Sequence, residues 1–254
     1  MRLVRNNGYV KTRRRLARLL AIGGFLLMMT AIAAGFFIPV LLIPSYIILF
    51  IGFIAFNVGM PQTTKWGRHP RPDEILDDTL RRLNDRYTLI HFSTAGKGNP
   101  EHVLVYPGGL VVITTREVQG RISVDGNKWR KPGGRILSFI GMAGPQIGNP
   151  TMENERDQDL LRSILTERNL PGEDAIDGII VFLNPKAALQ VGSTDLSVVT
   201  TSELLQSVRD LSSETVLTSK DREAIVAALS QGDNVEGPVS LPTRPSGSKR
   251  ATAA

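Results

Sequence analysis

Apolar and polar positions divide this chain into two regimes. From Leu19 to Met60, 42 consecutive residues carry no charge, whereas from Asp73 onward charged and apolar positions mix at short range. A membrane-crossing helix needs about 20 apolar residues, so the first regime is long enough for two crossings. Pro39 and Pro44 near its midpoint mark where the chain turns back, and the segment reads as a tight transmembrane hairpin. Ala31-Ile32-Ala33 resembles a signal-peptidase site, but the chain stays apolar for another 27 residues, which a mature secreted start would not do. Gly23, Gly24, Ala31, Ala34, Gly35 and Gly52 offer places where two helices can approach closely. The absence of any charge inside the hairpin argues against an ion or proton pathway.

The pattern beyond the hairpin alternates helix and strand periods. Pro72-Asp73-Glu74 starts a helix, and Ile75, Leu76, Leu80 and Leu83 give it an apolar face to Asp85. Strands are expected at Tyr87–Phe92, His102–Tyr106, Leu110–Thr115, Arg121–Val124 and Lys128–Trp129, the last two joined by an Asp125-Gly126 turn, as a compact antiparallel meander. Ser93 to Pro100 reads as a loop, and the apolar patch Ile136–Met142 has no clear period. Asn149-Pro150 caps a helix running to Asn169. Strands at Ile176–Leu183 and Leu196–Thr200 follow, then helices over Ser202–Leu211 and from Thr218 to Gly232. The expected fold class is α/β, a mixed sheet flanked by helices and preceded by a two-helix hairpin. The expected organisation is a basic cytoplasmic segment 1–18, the hairpin 19–60, a basic linker 61–72, a cytoplasmic domain 73–232 and a disordered tail 233–254.

Charge then fixes orientation. Seven Lys or Arg precede the hairpin and Lys65, Arg68 and Arg71 follow it, so both termini are expected in the cytoplasm of a multi-pass cell-membrane protein. The bilayer is the first expected partner, and these flanks can also rest on anionic lipid headgroups. The formal net charge of +6 invites a nucleic-acid reading, yet all 24 acids and only 20 of the 30 bases lie from Asp73 onward. That part is acidic by four charges, so any nucleic-acid contact has to come from a local patch. With no Cys there are no disulfides or thiolate zinc sites, and His69, His91 and His102 alone do not make a histidine-rich metal site. No phosphate-binding glycine loop or nucleophile elbow is present.

The run Glu101-His102-Val103-Leu104-Val105, then Pro107-Gly108-Gly109 and Leu110 to Arg116, with Gly120 and Trp129, resembles the core of the nuclease-related domain (NERD) family. Asn149-Pro150 with its helix, and Ile179-Ile180-Val181-Phe182, resemble later family blocks, so the likeness covers roughly residues 72 to 210. It implies a PD-(D/E)xK restriction-endonuclease-like core and Mg²⁺-dependent phosphodiesterase chemistry. Such chemistry needs carboxylates to hold the ion and a cation beside them. Carried onto this chain, the first carboxylate is Glu101, the position of the expected Glu is Thr114, and the cation is Arg116. Residues two apart on a strand share a face, so Glu117 cannot stand in for Thr114. Glu153, at the family's Gln position, and Glu74 are the remaining carboxylates that could join Glu101 around Mg²⁺. Each also fits a plain first-turn helix acid.

A hydroxyl in place of a carboxylate points to a degenerate metal site. The expected function is therefore a membrane-anchored binding or regulatory module on a nuclease-like fold. The alternatives are an active Mg²⁺-dependent nuclease acting on nucleic acid near the cytoplasmic membrane face, and a hairpin protein that scaffolds partners.

Overall fold

In a computed structural model of the 254-residue chain, the described residues are 1–93, 100–132, 147–211, 214, 216–231 and 235–240. The loop around Lys97, the Ile136–Met142 patch and the chain end from 241 lie outside them. Two compact units emerge, one holding Met1–Arg5 and Ile75–Gly232, the other Asn6–Glu74.

The second unit is the hairpin. Helix α1 (Asn7–Phe37) and helix α2 (Leu42–Gly67) are joined by a short 3₁₀ turn, Pro39–Leu41. Both helices are long and apolar enough to cross a membrane. At 1.5 Å per residue α1 is about 46 Å long, more than an apolar layer of about 30 Å, so its basic first turns extend past the uncharged stretch. Buried positions recur seven apart, at Val10, Ala17, Gly24 and Ala31 on α1 with Ala21 buried between the middle two, and at Ser45, Gly52, Gly59 and Trp66 on α2. A sustained seven-residue repeat keeps one seam facing the partner, and small residues along it let the backbones close. A Cβ added at Gly24 would lie 2.5 Å from the Phe56 nitrogen, and one at Gly59 2.3 Å from the Ala21 nitrogen. Of the small residues expected to face the partner helix, Gly24, Ala31, Gly35 and Gly52 do, while a Cβ at Gly23 would meet nothing within 4 Å. At the open end Tyr9 and Trp66 meet edge to face with ring centroids 5.8 Å apart, and Arg13 and Lys65 sit over these two rings. Aromatic and basic residues together are what a membrane–water boundary favours.

The first unit is a mixed α/β domain. Its elements are β1 (Arg2–Asn6), α3 (Pro72–Leu80), β2 (Thr88–His91), β3 (His102–Tyr106), β4 (Gly109–Arg116), β5 (Gly120–Asp125), β6 (Lys128–Arg130), α4 (Pro150–Glu167), β7 (Ile176–Phe182), β8 (Ala187–Val191), β9 (Ser197–Thr200), α5 (Thr201–Arg209), α6 (Ser219–Leu229) and β10 (Val235–Ser240). Seven strands form the main sheet in the order β10-β1-β2-β3-β4-β7-β9, and β6-β5-β8 form a second, small sheet. Strands β2, β3 and β4 pair antiparallel as a meander, whereas β7 joins β4 in parallel, with Thr114 beside Ile180 and Arg116 beside Phe182. The meander expected to continue through β5 and β6 stops at β4, because β5 turns away and pairs with β6 on one edge and β8 on the other.

Three strands lie outside the expected set. Arg2–Asn6, within the stretch expected to be a basic flank, is β1 and pairs in parallel with β2, Val4 beside Ile90. Strand β8 was hidden by its exposed, weakly alternating sequence. Val235–Ser240, inside the expected tail, adds β10 at the edge beside β1.

Strand alternation divides the sheet into two faces. Leu89, Leu104, Tyr106, Val111, Ile113, Ile179 and Val181 pack with Leu76 and Leu80 of α3 and with Leu204 and Val208 of α5. The opposite residues, including Val112, Thr114 and Gly178, face α4.

Candidate functional site

The site is built where β4 runs beneath α4. Asn149 caps that helix by accepting from the Met152 N–H at 3.3 Å, and Pro150 fills its first position. This start presents Glu153, Asn154 and Asp157 on successive parts of one turn. Asn154 is fully buried, and its Nδ2 donates to Thr114 Oγ1 at 2.9 Å and to the Val112 carbonyl at 3.0 Å. Its Oδ1 accepts from Gln158 Nε2 at 2.7 Å. Gly178 of β7 makes the room, for a Cβ there would lie 2.1 Å from Asn154 Oδ1 and 2.4 Å from Gln158 Nε2. Thr114 is therefore the floor of a neutral, buried amide–hydroxyl network.

Arg116, two residues on, points to the same face. Its Nε donates to the Ile147 carbonyl at 3.0 Å, Nη1 to the Thr115 carbonyl at 2.9 Å, and Nη2 forms an ion pair with Glu153. The guanidinium and Glu153 largely neutralise each other, so Glu153 is engaged by Arg116. Glu101 precedes β3 and is half-buried, with its carbonyl accepting from the Phe92 N–H at 2.7 Å. Extending the alternation of β3 back one residue puts Glu101 on the α4 face. Its charge is felt there by Asp157: burial pushes the Asp157 carboxyl up, Glu153 and Glu101 push it the same way, and Arg156 draws it down without reversing the shift.

Glu74 falls in the hairpin unit and is engaged at the start of α3. It accepts from the Arg71 N–H at 2.9 Å, with His69 Nδ1 at 3.1 Å and Arg71 Nη2 at 3.3 Å. Burial alone would raise its carboxyl, but these donors outweigh it and hold the group below the usual range. Among the described residues, no three His, Asp or Glu side chains are grouped so as to hold a metal ion.

Asn154, Asp157 and Gln158 have no counterpart among the sequence-predicted site residues. Asn154 and Asp157 continue the buried stripe of Leu161, Ile164 and Leu165 at helical spacing, which is the signal that marks them as inward-facing.

On the other sheet face a second polar chain runs through the core. Arg5 pairs with Asp77, Asp77 Oδ1 lies 2.9 Å from His91 Nε2, and His91 Nδ1 lies 2.8 Å from His102 Nδ1. With both rings neutral, one tautomer set satisfies the chain. His91 donates Nε2–H to Asp77, and His102 donates Nδ1–H to His91. This network ties β1, α3, β2 and β3 together directly behind Glu101.

The sequence that supplies α3 through β7 carries a recognisable family signature. Residues 72–183 match NERD, the nuclease-related domain. The NERD match holds Glu101, Thr114, Arg116, Glu153 and Asp157, and ends with β7, short of the β9–α5 part that the sequence likeness included. No curated protein and no solved structure matches the chain.

Proposed function

We propose that this protein is a membrane-anchored NERD module whose inherited metal site is degenerate and which binds its target without hydrolysing it. The observation that carries the reading is the state of Thr114. It occupies the place of the expected carboxylate, and its hydroxyl accepts from the buried Asn154 amide. Mg²⁺ favours near-octahedral oxygen ligation anchored by one or two carboxylates. Here the replacement acid Glu153 is paired with Arg116, and Glu74 belongs to the other unit. The residues present do not fit the ion.

Anchoring is supported by the two long apolar helices and the aromatic–basic cluster at their open end. Connectivity agrees: the chain leaves the NERD-containing unit after Arg5 and returns at Ile75. An even number of crossings between those points permits this, and an odd number does not. The basic flanks support a cytoplasmic side for both ends.

A second reading, an active nuclease, draws on one observation: Glu101 and Glu153 both act on the charge of Asp157, so a third acid stands near the remnant pair. The full chain in detergent, incubated with labelled DNA and RNA plus Mg²⁺ or Mn²⁺, separates the two. The expected result is no cleavage above a chelated control. Metal-dependent cleavage that disappears in Glu101→Ala would overturn the proposal.

A further inference from the structure

The small sheet has one face turned inward and one to solvent. Ile122, Trp129 and Leu189 pack inward with Phe182 and Ile180, and Val124, on the same face of β5 as Ile122, is buried. By alternation the outward face carries Arg121, Ser123 and Asp125 of β5 and Lys128 and Arg130 of β6, with Arg130 beside Ser123 and Lys128 beside Asp125. Arg121, Lys128 and Arg130 are exposed, and none has an acidic partner within ion-pair distance among the described residues. Asp125 is the sole acid among those five residues. In a domain with an excess of acids, three cations against one acid on a flat face is a local reversal of sign.

This face is joined to the candidate site. Trp129 Nε1 donates to Thr151 Oγ1 at 2.8 Å, and Asn149 Nδ2 to the Asn127 carbonyl at 3.4 Å, so β6 is held to the first turn of α4, which also carries Glu153. Lys128 and Arg130 are two residues apart on one strand, about 7 Å along it, and Arg121 is diagonal to Arg130 across the pair. A row of cations at that step is matched by the successive phosphates of an extended strand.

We infer that the outer face of β5 and β6 is a docking surface for the sugar–phosphate backbone of nucleic acid, with Arg121, Lys128 and Arg130 as its phosphate contacts. It rests on the non-hydrolytic reading above and supplies that module's ligand class. Among the described residues the face has no aromatic ring for bases to stack on, so binding there is independent of sequence and strongly dependent on salt.

The test is fluorescence anisotropy of a labelled single strand with the full chain in zwitterionic-lipid nanodiscs, in chelator, over a series of salt concentrations. Three phosphate contacts predict a log–log salt slope of about −2. Arg121→Gln, Lys128→Gln and Arg130→Gln combined should weaken binding at least about tenfold at low salt and flatten the slope, since each phosphate contact carries about 0.7 of it. The Arg86→Gln, Lys220→Gln double variant, at exposed cations elsewhere on the domain, should bind as wild type does. An unchanged melting temperature of the triple variant shows that its fold is intact. No binding by the wild type, or an unaltered slope in the triple variant, would overturn the surface. So would loss of strand binding in nanodiscs containing anionic lipid, which would assign the face to headgroups. Repeating the titration with Mg²⁺ keeps the two ideas separable: cleavage with the slope intact overturns the non-hydrolytic reading alone, and absent binding without cleavage overturns the docking surface alone.

Discussion

At the scale of single residues, the site is decided by which polar groups are satisfied inside the protein. Asn154 has no contact with solvent and holds Thr114, the Val112 carbonyl and Gln158 at once, in a space that exists because position 178 has no side chain. Removing a buried partner leaves the other groups desolvated and unbonded, so Asn154→Ala should cost about 2 to 3 kcal/mol, read as a drop in thermal or urea stability. Asp157 gives a pH signature. Its folded-state carboxyl is raised, so its contribution favours folding below the unfolded value and is lost as pH rises through the folded one. Asp157→Asn should therefore stabilise the protein at neutral pH, with the gain shrinking to nothing in acid; a variant less stable at neutral pH would mean that Asp157 holds a cation or an unrecognised donor. Neither residue stands out in the run Met152-Glu153-Asn154-Glu155-Arg156-Asp157-Gln158-Asp159, which reads as a solvated helix face. Only the spacing back from Leu161 marks Asn154 and Asp157 as inward-facing; the room for Asn154 and Gln158 comes from a glycine on a strand 20 or more residues away, which no local pattern encodes.

At the scale of elements, legibility followed how local the cause was. The helices α3, α4, α5 and α6 and strands β2 to β7 could be read because caps, turns and apolar periods are properties of adjacent residues. Strand β1 could not, since Arg2-Leu3-Val4-Arg5-Asn6 has the charge of a membrane flank and becomes a strand only by pairing with β2, more than 80 residues later. The hairpin seam was partly readable: small residues were visible, but the seven-residue spacing decides which of them face inward. Adjacent glycines give a sharp contrast. Gly24→Leu would drive a side chain into the backbone of Phe56 and Gly52, while Gly23→Leu points into open space. The first should lower the melting temperature in detergent markedly and the second should leave it nearly unchanged; equal effects would contradict the seam.

At the scale of the molecule, the hairpin is an insertion between β1 and the rest of the domain that β1 belongs to, and the NERD match starts at residue 72, three residues before the chain returns to that domain. The chain contains no cysteine, so single cysteines can be placed without background. A cysteine in the Pro39–Leu41 turn should react with an impermeant maleimide added outside intact cells, and one at exposed Arg121 should react only after permeabilisation. The reverse pattern would invert the assignment of sides. The most direct test of the proposed loss of the metal site is divalent-ion binding itself. Titrated with Mn²⁺, the full-length protein should show no saturable site that depends on Glu101; a stoichiometric Mn²⁺ site present in wild type and abolished by Glu101→Ala would contradict the account.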